Sequence, residues 1–160
     1  MDVPRRSPAA AQPEAPGEVA LGRLVFIELP PSLARDVGSF HPDPSILLPV
    51  ETAVGADPSA PFDPQSLTGE ALVAGMLRLL AWRPSHEHAD YYRSFVLAVK
   101  PDILAELSQA GIAKARNKDW EIAEEIFRAL AGLFPSAPEP LLDLAILSED
   151  RSEAYQESGR

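Results

Sequence analysis

His86-Glu87-His88-Ala89-Asp90 is the stretch whose side chains are of the types that hold metal ions. A metal needs its ligands to converge, and on a helix residues two apart point in different directions, so His86 and His88 do not reach one ion. The segment reads instead as a polar helix start, with Glu87 and Asp90 facing the positive end of the helix dipole. Two carboxylate pairs, Glu124-Glu125 and Glu149-Asp150, have the chemistry of a general acid and base. Their neighbours belong to the outer faces of helices, which predicts solvated surface. No Gly-x-Ser-x-Gly, Walker-type loop or Gly-x-Gly-x-x-Gly occurs, and three histidines with no cysteine leave no visible nucleophile-and-base constellation, no disulfide and no thiolate metal site. The expectation is a protein that is not an enzyme and carries no cofactor and no metal.

Composition divides the elements that would position any site. Twelve of the 17 prolines precede residue 67. The formal charge of −10 splits evenly, −5 on either side of that boundary. Neither half therefore offers a basic surface for phosphates, which excludes nucleic acid as an expected partner and disfavours an anionic membrane surface. The longest apolar runs fall far short of the roughly 20 residues of a spanning helix. Residues 1–20 lack an apolar signal region, so a cytoplasmic location is expected.

Residues 1–19, rich in Pro, Ala and Glu, are expected to be a disordered tail. Residues 20–66 read as an extended Pro-rich segment packing on the surface of a helical array, with one short strand over Leu24 to Ile27 stopped by Pro30-Pro31. From Ser66 the apolar spacing becomes three and four. Ser66 or Thr68 caps a first helix to about Trp82, carrying Leu72, Val73, Met76, Leu77, Leu79 and Leu80. A second runs from about His86 to Val99, and a third opens at Pro101. The Asn117-Lys118-Asp119 turn separates the third from a fourth, Trp120 to Leu133. Pro138 and Pro140 start a fifth, with Leu141, Leu142, Leu144, Ala145, Ile146 and Leu147 on its apolar side. Tyr91 and Tyr92 are adjacent and cannot both face inward, so one is a candidate contact residue.

Ala89 and Pro101 recur as Ala123 and Pro135, a period of 34 residues with an aromatic-containing apolar stretch inside each copy. Together, Leu107, Ala110-Gly111, Ala123, Phe127 and Pro135 resemble the tetratricopeptide repeat over residues 102–135. Lys114 stands where that family usually has tyrosine, and Leu130 where it prefers alanine. The preceding unit is degenerate, with Gly75 two residues out of register with Gly111, and the following unit has a first helix only. The resemblance implies a mainly α fold, an antiparallel helix-pair α-solenoid of about two and a half pairs over residues 67–157. The fifth helix then either caps the array, with Glu149, Asp150, Glu153 and Glu157 toward solvent, or belongs to a longer array.

What the resemblance implies about function is a concave groove lined by the first helix of each pair. Here those positions are Leu72, Met76 and Leu79, then Ser108, Ile112 and Ala115, then Leu142 and Ile146. Ser108, Gln109 and Ile112 do not supply the Lys and Asn of a carboxylate clamp. An open apolar groove needs an occupant. One candidate is a peptide or helix of another protein, as in the repeat-containing chaperones of secretion systems. Another is this chain's own Pro44-Ser45-Ile46-Leu47-Leu48-Pro49, which could equally cap the outer side. A protein-interaction module is expected, as scaffold, adaptor or assembly chaperone. The alternative is a regulatory or accessory domain, or an N-terminal fragment, of a larger protein or enzyme. The unpaired fifth helix also offers a route to self-association.

Overall fold

Thr68 sits in extended backbone and its hydroxyl accepts a hydrogen bond from the Ala71 amide at 3.1 Å, which starts helix α2, Gly69–Trp82. In the computed structural model, which describes residues 15–52, 63 and 66–159, four further helices follow: α3, Ala89–Val99; α4, Ile103–Arg116; α5, Trp120–Leu133; and α6, Glu139–Ser158. Before α2 come helix α1, Pro16–Gly22, and strands β1, Leu24–Ile27, and β2, Leu48–Glu51. The protein is mainly helical, as expected.

Three expectations need correction at this end of the chain. Residues 15–19 are not a disordered tail; Pro16 opens α1, whose Gly17 lies so close to the Trp82 ring that a Cβ there would stand 2.7 Å from it. Residues 1–14 lie outside the described residues. The expected single strand has a partner: β1 and β2 pair antiparallel, with Leu24 opposite Glu51 and Ile27 opposite Leu48. The hairpin is closed by Thr52, whose amide and hydroxyl both donate to the Arg23 carbonyl. A two-stranded sheet has only edges, so Pro49, which lacks an amide proton, is tolerated in β2. Finally, this segment is not surface dressing. Leu48, Pro49 and Val50 are buried, in one core with Leu72, Val73, Met76, Leu79 and Leu80 of α2 and Tyr92, Phe95 and Val96 of α3.

Helix α2 is the centre of that core because backbone approaches it on two sides. At Gly75 a Cβ would lie 2.1 Å from the Pro49 carbonyl oxygen. On α5, a Cβ at Gly132 would lie 2.1 Å from the Leu80 carbonyl oxygen. The closest association between helices is accordingly α2 with α5, followed by α4 with α5 and α5 with α6. Gly75 thus serves a helix-to-strand contact, not one between neighbouring helices.

Helix α3 starts at Ala89 rather than His86, because residues 84–88 form a turn in which the His88 amide donates to His86 Nδ1. Likewise Pro101 and Asp102 form a turn ahead of α4. Arg93 fastens α3 to its surroundings by donating to the Gly132 and Pro84 carbonyls at 2.7 and 2.6 Å and to Asp90 at 2.7 Å. Between α4 and α5 the chain reverses through Lys118, whose φ of 61° is left-handed.

Replacing Gly75 with alanine forces β2 off α2, since the obstructing atoms are backbone and cannot swing away. Gly75→Ala is expected to cost about 1–3 kcal/mol in urea unfolding. Wild-type stability in that variant would contradict so close an approach of β2 to α2.

Candidate functional site

The eight residues expected to line one continuous groove fall into two environments. Leu72, Met76 and Leu79 are buried and line no open surface, which corrects their assignment. The reason is the hairpin: β2 lies across this side of α2. It is the chain's own segment 44–50, one of the two candidate occupants, that covers these residues.

Tyrosines hold it there. The Tyr92 hydroxyl donates to the Leu47 carbonyl at 2.6 Å, and the Tyr91 hydroxyl accepts from the Asp43 amide at 3.0 Å. Asp43 in turn accepts from the amide and hydroxyl of Ser45, which shapes the turn into Ile46 and holds the carboxyl below its ordinary range. Tyr92 is buried, while Tyr91 is half-buried against Phe40 and Phe95. Both adjacent tyrosines are therefore spent within the chain.

The other five expected positions, on α4 and α6, behave differently. Ile112 and Ile146 are 45% and 47% exposed. With Ala115 they line an open cleft of about 260 Å³ whose floor is Phe127 of α5 and Leu147 of α6. Asp143, Asp150 and Arg116 stand at its edges. Ser108 is half-buried on α4, and Leu142, 61% exposed, sits beyond the cleft, one turn before Ile146.

Local sequence explains how the cleft is built. Gly111 lets α4 approach the Phe127 ring, where a Cβ would stand 2.7 Å from the ring edge. Ala123, Phe127, Leu130 and Leu147 then form a second small core. Helix α6 touches it through the narrow stripe Pro140, Leu144 and Leu147, spaced four and three. A stripe that narrow leaves Leu141, Leu142 and Ile146 exposed, contrary to the expected apolar side. The signal was in the sequence: a 3.6-residue period cannot bury six apolar residues within 141–147 on one side.

The other chemistry candidates resolve as structural. Among the described residues no group of three or more histidine, aspartate or glutamate side chains is placed to hold a metal ion. His86 stacks on Phe26 and lies against Tyr92, so it belongs to the aromatic contact between hairpin and α3. Glu149 and Asp150 are exposed as expected. Glu124 and Glu125 are not simply solvated, which corrects their reading. Glu125 accepts from Arg78 at 2.8 and 3.0 Å while Arg78 also meets Glu51 of β2, and Glu124 accepts from Arg128 at 2.9 Å. Arg78 thereby joins β2, α2 and α5, a junction with no local sequence signal because its partners are 27 and 47 residues away.

The fold is mainly helical with a docked β-hairpin, and the cleft at α4 and α6 is accompanied by another open cleft between α2, α4 and α5, lined by Leu77, Leu107, Ile122 and Ile126. No protein family, no curated protein and no solved structure matches the chain. No helix among the described residues is long and apolar enough to cross a membrane.

Burial pushes the Tyr92 phenol up to about 12, helped by the neighbouring Tyr91 and Glu87. The folded protein therefore holds this proton more tightly than the unfolded chain, where the phenol ionises near 10. That stabilisation is complete below pH 10 and is lost as pH rises from 10 to about 12. Tyr92→Phe is expected to lower stability by about 1–2 kcal/mol at neutral pH, because the Leu47 carbonyl loses its donor, and to flatten the alkaline loss. Thermal melts across this pH range check both, and an unchanged alkaline slope in the variant would contradict the assignment.

Proposed function

We propose that this chain is a protein-binding module, acting as scaffold, adaptor or assembly chaperone, whose cleft between α4 and α6 takes a peptide or helix of another protein. One observation carries the reading. Ile112 and Ile146, on different helices, face solvent across a floor made by Phe127 and Leu147. Exposed large aliphatic side chains that converge on a concave floor lose ordered water when a partner's apolar side chain enters, which favours association.

Support also comes from the tetratricopeptide-like reading of residues 102–135. In it Gly111 and Phe127 are the residues that bring a helix pair together, and Ile112, Ala115 and Ile146 are groove positions. The cleft is the part of that groove which the hairpin leaves open. On this reading the protein acts in the cytoplasm and needs no cofactor.

Ile112→Asp and Ile146→Asp each place a charge where the partner's apolar group must sit, at positions too exposed for the fold to depend on them. With the intact chain as bait in an extract of its native host, the partner is expected to be recovered by the parent protein. Recovery should fall at least about tenfold with either variant, while circular dichroism stays unchanged. Equal recovery by all three proteins would remove the cleft from the reading.

A further inference from the structure

We infer that the partner segment for this cleft is a basic amphipathic helix; the inference rests on the protein-binding reading and adds its charge. The two walls of the cleft differ in kind. On α4 the residues on the side of Ile112 are Leu104, Ala105, Ser108, Gln109 and Ala115, with Arg116 alone as a charge at the end. On α6 the wall is acidic.

Successive residues of a helix turn by about 100°. On that spacing Glu139, Asp143, Glu149, Asp150, Glu153 and Glu157 all fall on the side of α6 that carries Ile146, leaving Leu141, Ala145 and Tyr155 on the other. Two of them, Asp143 and Asp150, line the cleft itself, and Glu139, Glu153 and Glu157 continue their row along the exposed side of the helix beside Ile146. None of the six makes an ion pair among the described residues, whereas Glu51, Glu124 and Glu125 elsewhere are all paired with arginines. Unpaired like charges along one edge repel one another, and that repulsion is relieved by a cationic partner.

The occupant that fits both walls has an apolar face for Ile112, Ala115 and Phe127 and lysines or arginines along the edge that meets α6. From Glu139 to Glu153 the acidic row is about 20 Å long at 1.5 Å per residue, room for a partner helix of about 14 residues. A second copy of this chain is the competing occupant. Seating its own α6 there would set carboxylates against carboxylates, and directly opposed like charges disfavour the pairing.

The test uses the full chain and three labelled synthetic helices of about 14 residues, matched to the wall length. They share one apolar stripe and differ in their flanks: lysine, glutamate or serine. Fluorescence anisotropy is expected to show binding of the lysine peptide, weakening as salt is raised, and little binding of the glutamate peptide. Asp143→Lys with Asp150→Lys should weaken the lysine peptide about tenfold or more. The same charge change at exposed Glu28 and Glu70 should leave it nearly unaltered, which separates the cleft from general attraction to an acidic protein. If the reversed pair fails to fold, Asp143→Asn carries the same comparison with a smaller loss.

Equal binding of all three peptides, abolished by Ile146→Asp, would overturn the basic partner while leaving the cleft reading intact. Binding of none, or binding indifferent to Ile112→Asp and Ile146→Asp, would overturn both. A concentration-dependent dimer in sedimentation, broken by Ile146→Asp and competed by no peptide, would assign the cleft to a second copy instead.

Discussion

Helix α2 is gripped from two sides at distances that only glycine permits, by the Pro49 carbonyl at Gly75 and by Gly132 of α5 at the Leu80 carbonyl. At such separations there is no room for a Cβ, so the strand and the helix meet α2 through backbone and adjacent side chains interlock around the contact. The larger core forms around this sandwich, with Leu48 and Val50 from one side, Leu133 from the other, and Met76 and Leu80 fully buried between them. Arg78 reinforces the same junction electrostatically by meeting Glu51 and Glu125 at once. Removing Arg78 would leave both Glu51 and Glu125 partly buried without their cation, whereas removing either glutamate leaves Arg78 paired with the other.

The consequence for function is a division of labour along the chain. A face of α2 that would otherwise be open is consumed by the hairpin, and the tyrosines of α3 are consumed in holding the residues before β2. Nothing comparable covers α4 and α6 among the described residues. Helix α6 rests on the second core by a stripe of single residues, so apolar groups that sequence patterning assigns to burial stand in solvent instead. The hairpin leaves Phe26 and Leu47 about as exposed as Ile112, but the end formed by α4 and α6 is the less covered, with Leu104, Ile112, Leu141, Leu142 and Ile146 all facing water.

That less covered end is also where charge accumulates. The acidity of the whole chain gives no hint of location, since its two halves carry equal net charge. On α6, however, the helical period gathers the carboxylates beside Ile146. An apolar floor flanked by Asp143 and Asp150 on α6 and by Arg116 at the end of α4 is a more selective surface than an apolar groove alone, because a wrong partner meets repulsion as well as imperfect packing.

Sequence alone determined most of the helices, though not α1, which falls partly in the expected disordered tail, nor the start of α3. Thr68 as a cap, proline before the last helix, and apolar spacing of three and four are short-range signals, and α2, α5 and the strand at Leu24 fall where those signals put them. The candidate positions Ile112, Ala115 and Ile146 came from the tetratricopeptide resemblance, and the fold sets these three around one cleft. Tertiary structure decided what could not be local. Whether Leu72, Met76 and Leu79 line a groove or a core depends on Pro49, some two dozen residues earlier, and Glu125 is paired or solvated according to Arg78, 47 residues away. Even the second strand was hidden, because Leu48-Pro49-Val50 has no strand signal strong enough to outweigh its prolines until β1 and the glycine on α2 give it a place to bury itself.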